Sequence, residues 1–306
     1  MQSTLRSDVT FRGVGLHSGA PVSMTVRPAP ADHGIRFHRT DIETKAAEIA
    51  ARWDAVVPSR LCTLLANAEG VTVSTVEHIM AALAGSGIHN ALIEIDGPEV
   101  PILDGSAVPF VTRFLETGLV EQDAPVRAIR ILAPVELREG EAVARLDPAD
   151  MLEIDFRIDF DDAAIGQQEK HLSLANGAFV RELCDSRTFC RRADVEAMRA
   201  NGLALGGTLE NAVVIEGDRV LSPGGFRHAD EPVRHKMLDA LGDLALAGGP
   251  ILGRYTGIRA GHAMTNRLLR KLFATPRAWT WVDCSQRTGC KLPGVGVSRA
   301  DLPARA

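Results

Sequence analysis

The sequence predicts an α+β protein of two similar domains, each a two-layer sandwich of a β-sheet and helices. Short strands and glycine-bounded helices alternate in both halves of the 306 residues, and a polar, proline-containing break at 122–125 separates the halves. A short internal echo supports duplication, since 76–80 and 233–237 both place Val, His and Met at alternate positions near a helix start. A duplicated unit is the simplest architecture with this order.

The first domain, predicted at 1–124, alternates strands and helices after a glycine-punctuated turn region. Alternating apolar and polar residues indicate strands, and a glycine after an apolar stretch indicates the end of a helix. The predicted elements are a turn region at 10–19, strands at 22–27, 61–65, 70–73 and 90–95, and helices at 74–85 and 108–117.

The second domain, predicted at 125–276, repeats this pattern and carries an insert near 193–222. Its elements are strands at 127–132, 135–137, 142–146, 152–156 and 251–257, an irregular to helical stretch at 173–184, a short helix at 193–201, a hairpin at 211–221, and helices at 230–249 and 265–273. No element is predicted for the tail at 277–306.

The helix at 230–249 has the clearest signals, with proline in its first turn and Gly-Gly-Pro at its end. Beside its apolar stripe, His235, Asp239 and Asp243 recur at four-residue steps and therefore project from one side. An imidazole and a carboxylate so spaced can hold one metal ion. The alternative is a surface His–Asp pair, worth about 0.2–0.5 kcal/mol.

Composition limits the function. A net charge of −5 and 5% aromatic residues argue against a nucleic-acid surface. The sequence contains no apolar run of about 18 residues, so no stable membrane insertion is expected. The N-terminal residues lack the apolar region of a secretory signal, and the five cysteines include no C-x-x-C pair. We expect a cytoplasmic protein with reduced thiols, and a monomer.

Glu77 and His78 are adjacent at a predicted helix start. For Glu77 the alternative is a capping box with Ser74, and for His78 a solvated or satisfied helix histidine. Together with His235 and Asp239, however, they complete the set of a mononuclear hydrolase. Two imidazoles and one carboxylate bind Zn²⁺ and leave a fourth position for water, and a second carboxylate can take the proton of that water.

Other candidates lie outside that set. His262 follows a predicted strand and precedes a helix, where loops often carry function, and Asp243 could hold it protonated. Thr188 offers a hydroxyl to an oxyanion, and Lys236 offers a cation beside the metal set. The alternative for Thr188 is an ordinary turn residue, and the alternative for Lys236 is a solvated surface lysine.

Seven ordered motifs resemble one family, from about residue 4 to about residue 275. They are Gly-Val-Gly-Leu-His-Ser-Gly at 13–19, Ser-Thr-Val-Glu-His at 74–78, Ile-Leu-Asp-Gly-Ser-Ala at 102–107, Ser-Arg-Thr-Phe at 186–189, Leu-Gly-Gly at 205–207, Val-Arg-His-Lys-Met-Leu-Asp-Ala-Leu-Gly-Asp at 233–243 and Gly-His at 261–262. This pattern is similar to the UDP-3-O-acyl-N-acetylglucosamine deacetylases (LpxC family), the zinc amidases of lipid A biosynthesis.

The resemblance implies zinc-dependent hydrolysis of the N-acetyl group of an acylated UDP-sugar, with the metal between the two domains. Fe²⁺ could occupy the same ligands. The implied roles are His78, His235 and Asp239 as metal ligands, Glu77 as general base, His262 as general acid oriented by Asp243, and Thr188 and Lys236 at the tetrahedral intermediate. The insert would form an apolar passage for the acyl chain, with Phe189, Leu16 and Ala204 as wall residues, and His17 and Arg259 as diphosphate contacts.

One departure from that family follows Phe189, where relatives usually carry glycine and bulky apolar residues. Arg191 and Arg192 stand there and either reshape acyl-chain selection or point to solvent. Two rival functions stay open at this stage: a zinc hydrolase of another N-acyl sugar or peptide, and a non-catalytic module that binds a sugar nucleotide or a metal.

Overall fold

A computed structural model describes residues 1–43, 46–284 and 289–303. In the first half, strands and helices follow one another as β1 (Ser3–Leu5), β2 (Val9–Val14), β3 (Pro21–Pro28), β4 (Ile35–Arg39), β5 (Glu48–Ala50), β6 (Val56–Val57), β7 (Leu64–Ala66), β8 (Thr72–Ser74), α1 (Glu77–Gly85), β9 (Ala91–Ile95), α2 (Val108–Thr117) and β10 (Leu119–Glu121).

The second half continues as β11 (Arg127–Ile131), β12 (Val135–Glu139), β13 (Ala142–Pro148), β14 (Leu152–Asp159), β15 (Gln167–Ser173), α3 (Ala178–Glu182), β16 (Phe189–Arg191), α4 (Arg192–Ala200), β17 (Val213–Glu216), β18 (Arg219–Val220), α5 (Glu231–Ala245), β19 (Ile251–Ile258), α6 (His262–Ala274) and β20 (Trp279–Asp283). No helix in these ranges is both long and apolar enough to cross a membrane.

The two halves share one sheet topology, which confirms the predicted pair of similar α+β units. In the first, the strands lie in the order β2-β3-β9-β4-β5, with β4 parallel to β9 and the other pairs antiparallel. In the second, β12-β13-β19-β14-β15 repeats that order and those directions. The matching helices precede and follow the central strand: α1 and α2 around β9, and α5 and α6 around β19.

The halves meet helix against helix, because α1 packs against α5. Nearly every residue of α1 and most of α5 are buried, as expected of helices covered by a sheet on one side and by each other on the other. Gly242 marks a close approach, since a Cβ there would overlap the backbone carbonyl of Glu77. The first turn of α1 therefore lies against the C-terminal part of α5.

Gly242→Ala is expected to destabilise the protein by about 1–3 kcal/mol, because the backbone of Glu77 in α1 leaves the added methyl no room. Alanine's better helix propensity offsets only part of this cost. A lower denaturation midpoint in guanidinium chloride, with unchanged slope, is the expected result. Gly97→Ala is the matched control, because its added carbon meets only Val22 at an ordinary 3.5 Å. Equal midpoints for the two variants would contradict close packing of α1 on α5.

Several predicted bounds need correction. The first half of the region at 10–19 belongs to strand β2, while 16–18 form the predicted turn. The helix predicted at 74–85 begins only at Glu77, with Val76 as N-cap and no side-chain cap. The capping box is therefore absent, since Thr75 has a φ of 57° and the Glu77 carboxylate points elsewhere. Helix α6 begins at His262 rather than at 265, which puts this histidine in the first turn.

The second sheet extends beyond the predicted domain end at 276. Strand β20 lies in the tail for which no element was predicted, and it pairs antiparallel with β11 over its whole length. The edge strand β15 was also missed, because its sequence, Gln-Gln-Glu-Lys-His-Leu-Ser, is too polar to predict a strand. The insert is a three-stranded sheet, β16-β17-β18, with α4 beside it, and so begins near 189.

Candidate active site

Three possible metal ligands converge where α1 and α5 meet. His78 is the second residue of α1, while His235 and Asp239 lie one turn apart on α5. All three are buried, and their ligand atoms lie within 4.8 Å of one another. Asp239 Oδ1 is 3.3 Å from His235 Nε2 and 3.6 Å from His78 Nε2. The sequence predicted this set, and the fold brings it together across the two halves.

The donor set fits a divalent cation. Asp239 Oδ1 is buried and has no hydrogen-bond partner among the described residues, although it faces two imidazoles. His235 Nδ1 lies 2.9 Å from the Ser186 carbonyl, which can only accept, so Nδ1 carries the proton and Nε2 keeps a free lone pair. Burial lowers the pKa of His235 to about 4, which favours the neutral, ligating form. These three side chains therefore form a candidate metal centre.

Glu77 lies beside that cluster with a buried carboxylate. Its Oε2 accepts a hydrogen bond of 3.1 Å from the backbone N–H of Thr63, and its Oε1 lies 3.9 Å from His262 Nε2. Burial raises the pKa of Glu77, and His262 and His78 oppose that rise. A carboxylate whose pKa is raised toward neutrality is suited to accept a proton from water.

His262 faces the same space from the second half. Its Nδ1 is 2.8 Å from Asp243 Oδ2, and its Nε2 is 3.8 Å from Asp239 Oδ2. Burial lowers the pKa of His262, but Asp243, Glu77 and Asp239 outweigh burial and raise it to about 9. The imidazolium is thus available as a proton donor, and Asp243 fixes its ring. Thr63 Oγ1 in turn donates to Asp243 Oδ1 at 2.5 Å.

Lys236 and Thr188 were predicted to serve a developing oxyanion. Lys236 Nζ donates to Asp239 Oδ2 at 2.7 Å, so its cation lies beside the ligand set. Burial lowers the pKa of Lys236, but Asp239, together with Asp243 and Glu77, outweighs burial and the net pKa is raised. Thr188 stands just before β16; its N–H donates to Gly105 O at 2.8 Å, and its carbonyl accepts from Val213 N at 2.8 Å. The backbone of Thr188 is therefore fixed on both sides.

The predicted wall residues fall into two groups, one beside His235 and one where a loop of the first half meets the insert. The Phe189 ring is 6.4 Å from the His235 ring, edge to face, and 5.5 Å from Phe160. Leu16 and His17 belong to a loop whose carbonyls accept hydrogen bonds from the insert, just after Ala204. His17 Nδ1 is buried and has no hydrogen-bond partner among the residues that the structure describes. Burial lowers the pKa of His17, although the charge of Glu99 opposes this change.

Three arginines lie apart from the centre. Arg259 donates to Glu141 at 2.7 Å and to Asp159 at 2.6 Å on an exposed surface, so carboxylates occupy the group expected to bind a diphosphate. Arg191 pairs with Asp162 at 2.7 Å, and Arg192 pairs with Glu196 and Glu216 at 3.2 Å. All three side chains are more than 40% exposed, which favours the solvent-facing alternative for the insert pair.

Sequence reasoning missed Thr63, the backbone carbonyl of Ser186 that accepts from His235, and Glu99. Thr63 holds both Glu77 and Asp243, yet it sits in a stretch that reads only as a short strand. Ser186 acts through its backbone carbonyl on His235, and a backbone contact leaves no residue-type signal. Glu99 follows a Gly-Pro pair that reads only as a turn.

Three candidate metal ligands and two acid–base groups, brought together by helices of two similar α+β halves, are typical of a metal-dependent hydrolase. That is the class of protein which the fold and the site define. Comparison with known sequences narrows it. The profile of the LpxC family, UDP-3-O-acyl N-acetylglycosamine deacetylase, matches residues 2–274. This chain belongs to that family.

Three relatives illustrate the similarity, and each is named UDP-3-O-acyl-N-acetylglucosamine deacetylase. The protein of Phenylobacterium zucineum (strain HLK1) is 52% identical over 91% of this chain and 95% of its own length. That of Anaeromyxobacter sp. (strain Fw109-5) is 47% identical over 99% of this chain and 95% of its own. That of Xanthomonas campestris pv. campestris (strain B100) is 46% identical over 94% of this chain and 95% of its own length.

Proposed function

We propose that this protein hydrolyses the N-acetyl amide of UDP-3-O-acyl-N-acetylglucosamine, releasing acetate and the 2-amino sugar nucleotide for lipid A biosynthesis. The observation that carries the proposal is the convergence of His78, His235 and Asp239 with two acid–base groups, in a chain that belongs to the deacetylase family. We further propose a monomer acting in the cytoplasm, with domains at 1–124 and from 125 onward.

Zn²⁺ is the proposed metal, held by His78, His235 and Asp239, where it would polarise the amide carbonyl and acidify water. Glu77 accepts the proton of the attacking water, since its carboxylate is buried and held by the Thr63 N–H. His262 donates a proton from Nε2 to the departing amine, because Asp243 binds its other nitrogen.

Remaining polar groups stabilise charge and bind the substrate. Lys236, buried beside Asp239, and the hydroxyl of Thr188 are proposed to stabilise the oxyanion of the tetrahedral intermediate. Phe189, Leu16 and Ala204 are proposed to line the acyl passage. His17 is proposed as a contact for the diphosphate. Binding energy from the acyl chain and the nucleotide would position the amide without taking part in bond breaking.

Acetate release from UDP-3-O-acyl-N-acetylglucosamine tests this function. We expect turnover by the protein as purified, none after chelation, and recovery on adding one equivalent of Zn²⁺, with Fe²⁺ as a parallel arm. Release of acetate from other N-acetyl sugars or peptides, but not from this substrate, would instead support a hydrolase of different specificity. Tight substrate binding without acetate release under any metal condition would leave a binding module and refute the proposal.

A further inference from the structure

Glu99 is a buried carboxylate that joins two parts of the structure. It is 3% exposed, and its two oxygens accept from consecutive backbone N–H groups, His17 N on Oε1 and Ser18 N on Oε2, both at 2.8 Å. Oε1 also accepts from the Thr75 hydroxyl at 3.0 Å. Hydrogen bonds to a buried carboxylate are stronger than neutral ones, so this group fixes three donors at once.

The backbone explains why Glu99 reaches both partners. Its segment runs beside β8, with Val100 N donating to Ser74 O at 3.1 Å, and then beside the end of β2, with Ile102 N donating to Val14 O at 3.0 Å. Gly15 lies directly against the Glu99 carboxylate, and a Cβ at that position would overlap Oε2. Glycine is therefore required there by close approach.

The loop held by Glu99 also contacts the insert of the second half. Leu205 N donates to His17 O at 3.2 Å, and Gly206 N donates to Leu16 O at 3.0 Å. A Cβ on Gly206 would overlap Gly15 O, so the two backbones touch. The loop at 15–19 is thus clamped between a carboxylate of the first half and the insert.

The other partner of Glu99 leads to the metal centre. Thr75 has a φ of 57°, a conformation that is costly for a β-branched residue, and it stands two residues before Glu77. Its hydroxyl bond to Glu99 helps to hold that turn. One side chain therefore contacts both the entry to α1 and the loop that meets the insert.

We propose that Glu99 is a positioning residue that holds the 15–19 loop against the insert, and so sets the acyl-binding wall formed by Leu16 and Ala204. This inference rests on the proposed function for its kinetic consequence. Glu99 touches neither the reacting amide nor the metal ligands, so its loss weakens binding of the acylated substrate more than it slows the chemical step.

Glu99→Gln is the decisive variant, because it keeps the size of the side chain and removes its charge. We expect KM for the acylated substrate to rise about tenfold or more, with kcat within about threefold and one metal bound per chain, since charge-assisted bonds are lost. Amide hydrogen exchange gives a readout without activity: 203–207 should exchange faster, because its donors to Leu16 and His17 are loosened. Glu94→Gln, on the exposed side of β9, is the matched control.

A double-mutant cycle separates positioning from general stability. Gly15→Ala alone should raise KM and speed exchange at 203–207, because the added methyl displaces the carboxylate. In a Glu99→Ala background the same change should have a smaller effect, since the carboxylate is gone and, of the nearest neighbours of the added methyl, the Ser18 hydroxyl alone remains. Additive effects, or a lower melting temperature with unchanged KM and exchange, would overturn the inference. If the wild-type chain releases no acetate, the proposed function fails, and hydrogen exchange alone still decides whether Glu99 holds the loop.

Discussion

Replacing Asp239 with alanine is expected to lower kcat/KM for acetate release by more than about 10³-fold, because Lewis-acid assistance is worth several kcal/mol and each 1.4 kcal/mol is tenfold. Asp239 supplies a carboxylate oxygen that faces both imidazoles. Without it two neutral nitrogens remain, and bound zinc, measured after dialysis against a competing chelator, should fall far below one equivalent.

Two controls make that result specific. Asp155→Ala removes a different His–Asp pair, with His171 on an exposed face, and should leave metal content and turnover unchanged. Because Lys236 loses its carboxylate partner in Asp239→Ala, the variant needs a check of its fold by circular dichroism. A folded Asp239→Ala protein that binds zinc as tightly as the wild type would exclude this residue as a ligand.

Replacing His262 with alanine is expected to lower kcat by about 10²–10⁴-fold while leaving metal content intact. His262 Nε2 faces the centre but lies outside the ligand set, and its pKa of about 9 keeps the ring protonated at neutral pH. The variant therefore loses the proton donor and keeps the metal. Single-turnover acetate release measures the effect without a contribution from product release.

The partner of His262 offers a graded comparison. Asp243→Asn keeps the size of the side chain but no longer carries the charge that holds the imidazolium, so turnover should fall in the same direction. His171→Ala, which removes an exposed histidine that also pairs with a carboxylate, is the control. Full turnover by His262→Ala would remove this residue from the acid role.

Sequence reasoning predicted the duplicated α+β architecture from particular residues. The helix predicted at 230–249 carried enough local signals, such as a proline in its first turn, for its start to be placed within one residue, although it ends at Ala245, four residues before the predicted end. Strands β4 and β15 were missed, because their alternation is weak or their faces are polar. Strand β20 was missed because it is defined by a distant partner, β11, and not by its own composition.

The site residues likewise divide into those that local sequence signals predict and those that depend on distant partners. Ligand types and helical spacing on α5 are local properties, so His235 and Asp239 could be proposed together from the sequence. Their meeting with His78 depends on how α1 packs against α5; the residue types suggested that grouping and the motif resemblance supported it. The supporting bonds from Thr63, Ser186 and Glu99 could not be foreseen, because each depends on a backbone group or on close approach of distant segments.

Strand β20 also constrains the order in which the chain can fold as it is synthesised. Ile129 in β11 pairs with Trp281 in β20, so about half of the chain separates the two partners. While the intervening residues emerge from the ribosome, β11 has an unpaired edge, which is open to wrong pairing with other strands. Completion of the second sheet must therefore wait until β20 is translated, whereas all strands of the first half have been translated once β10 is complete.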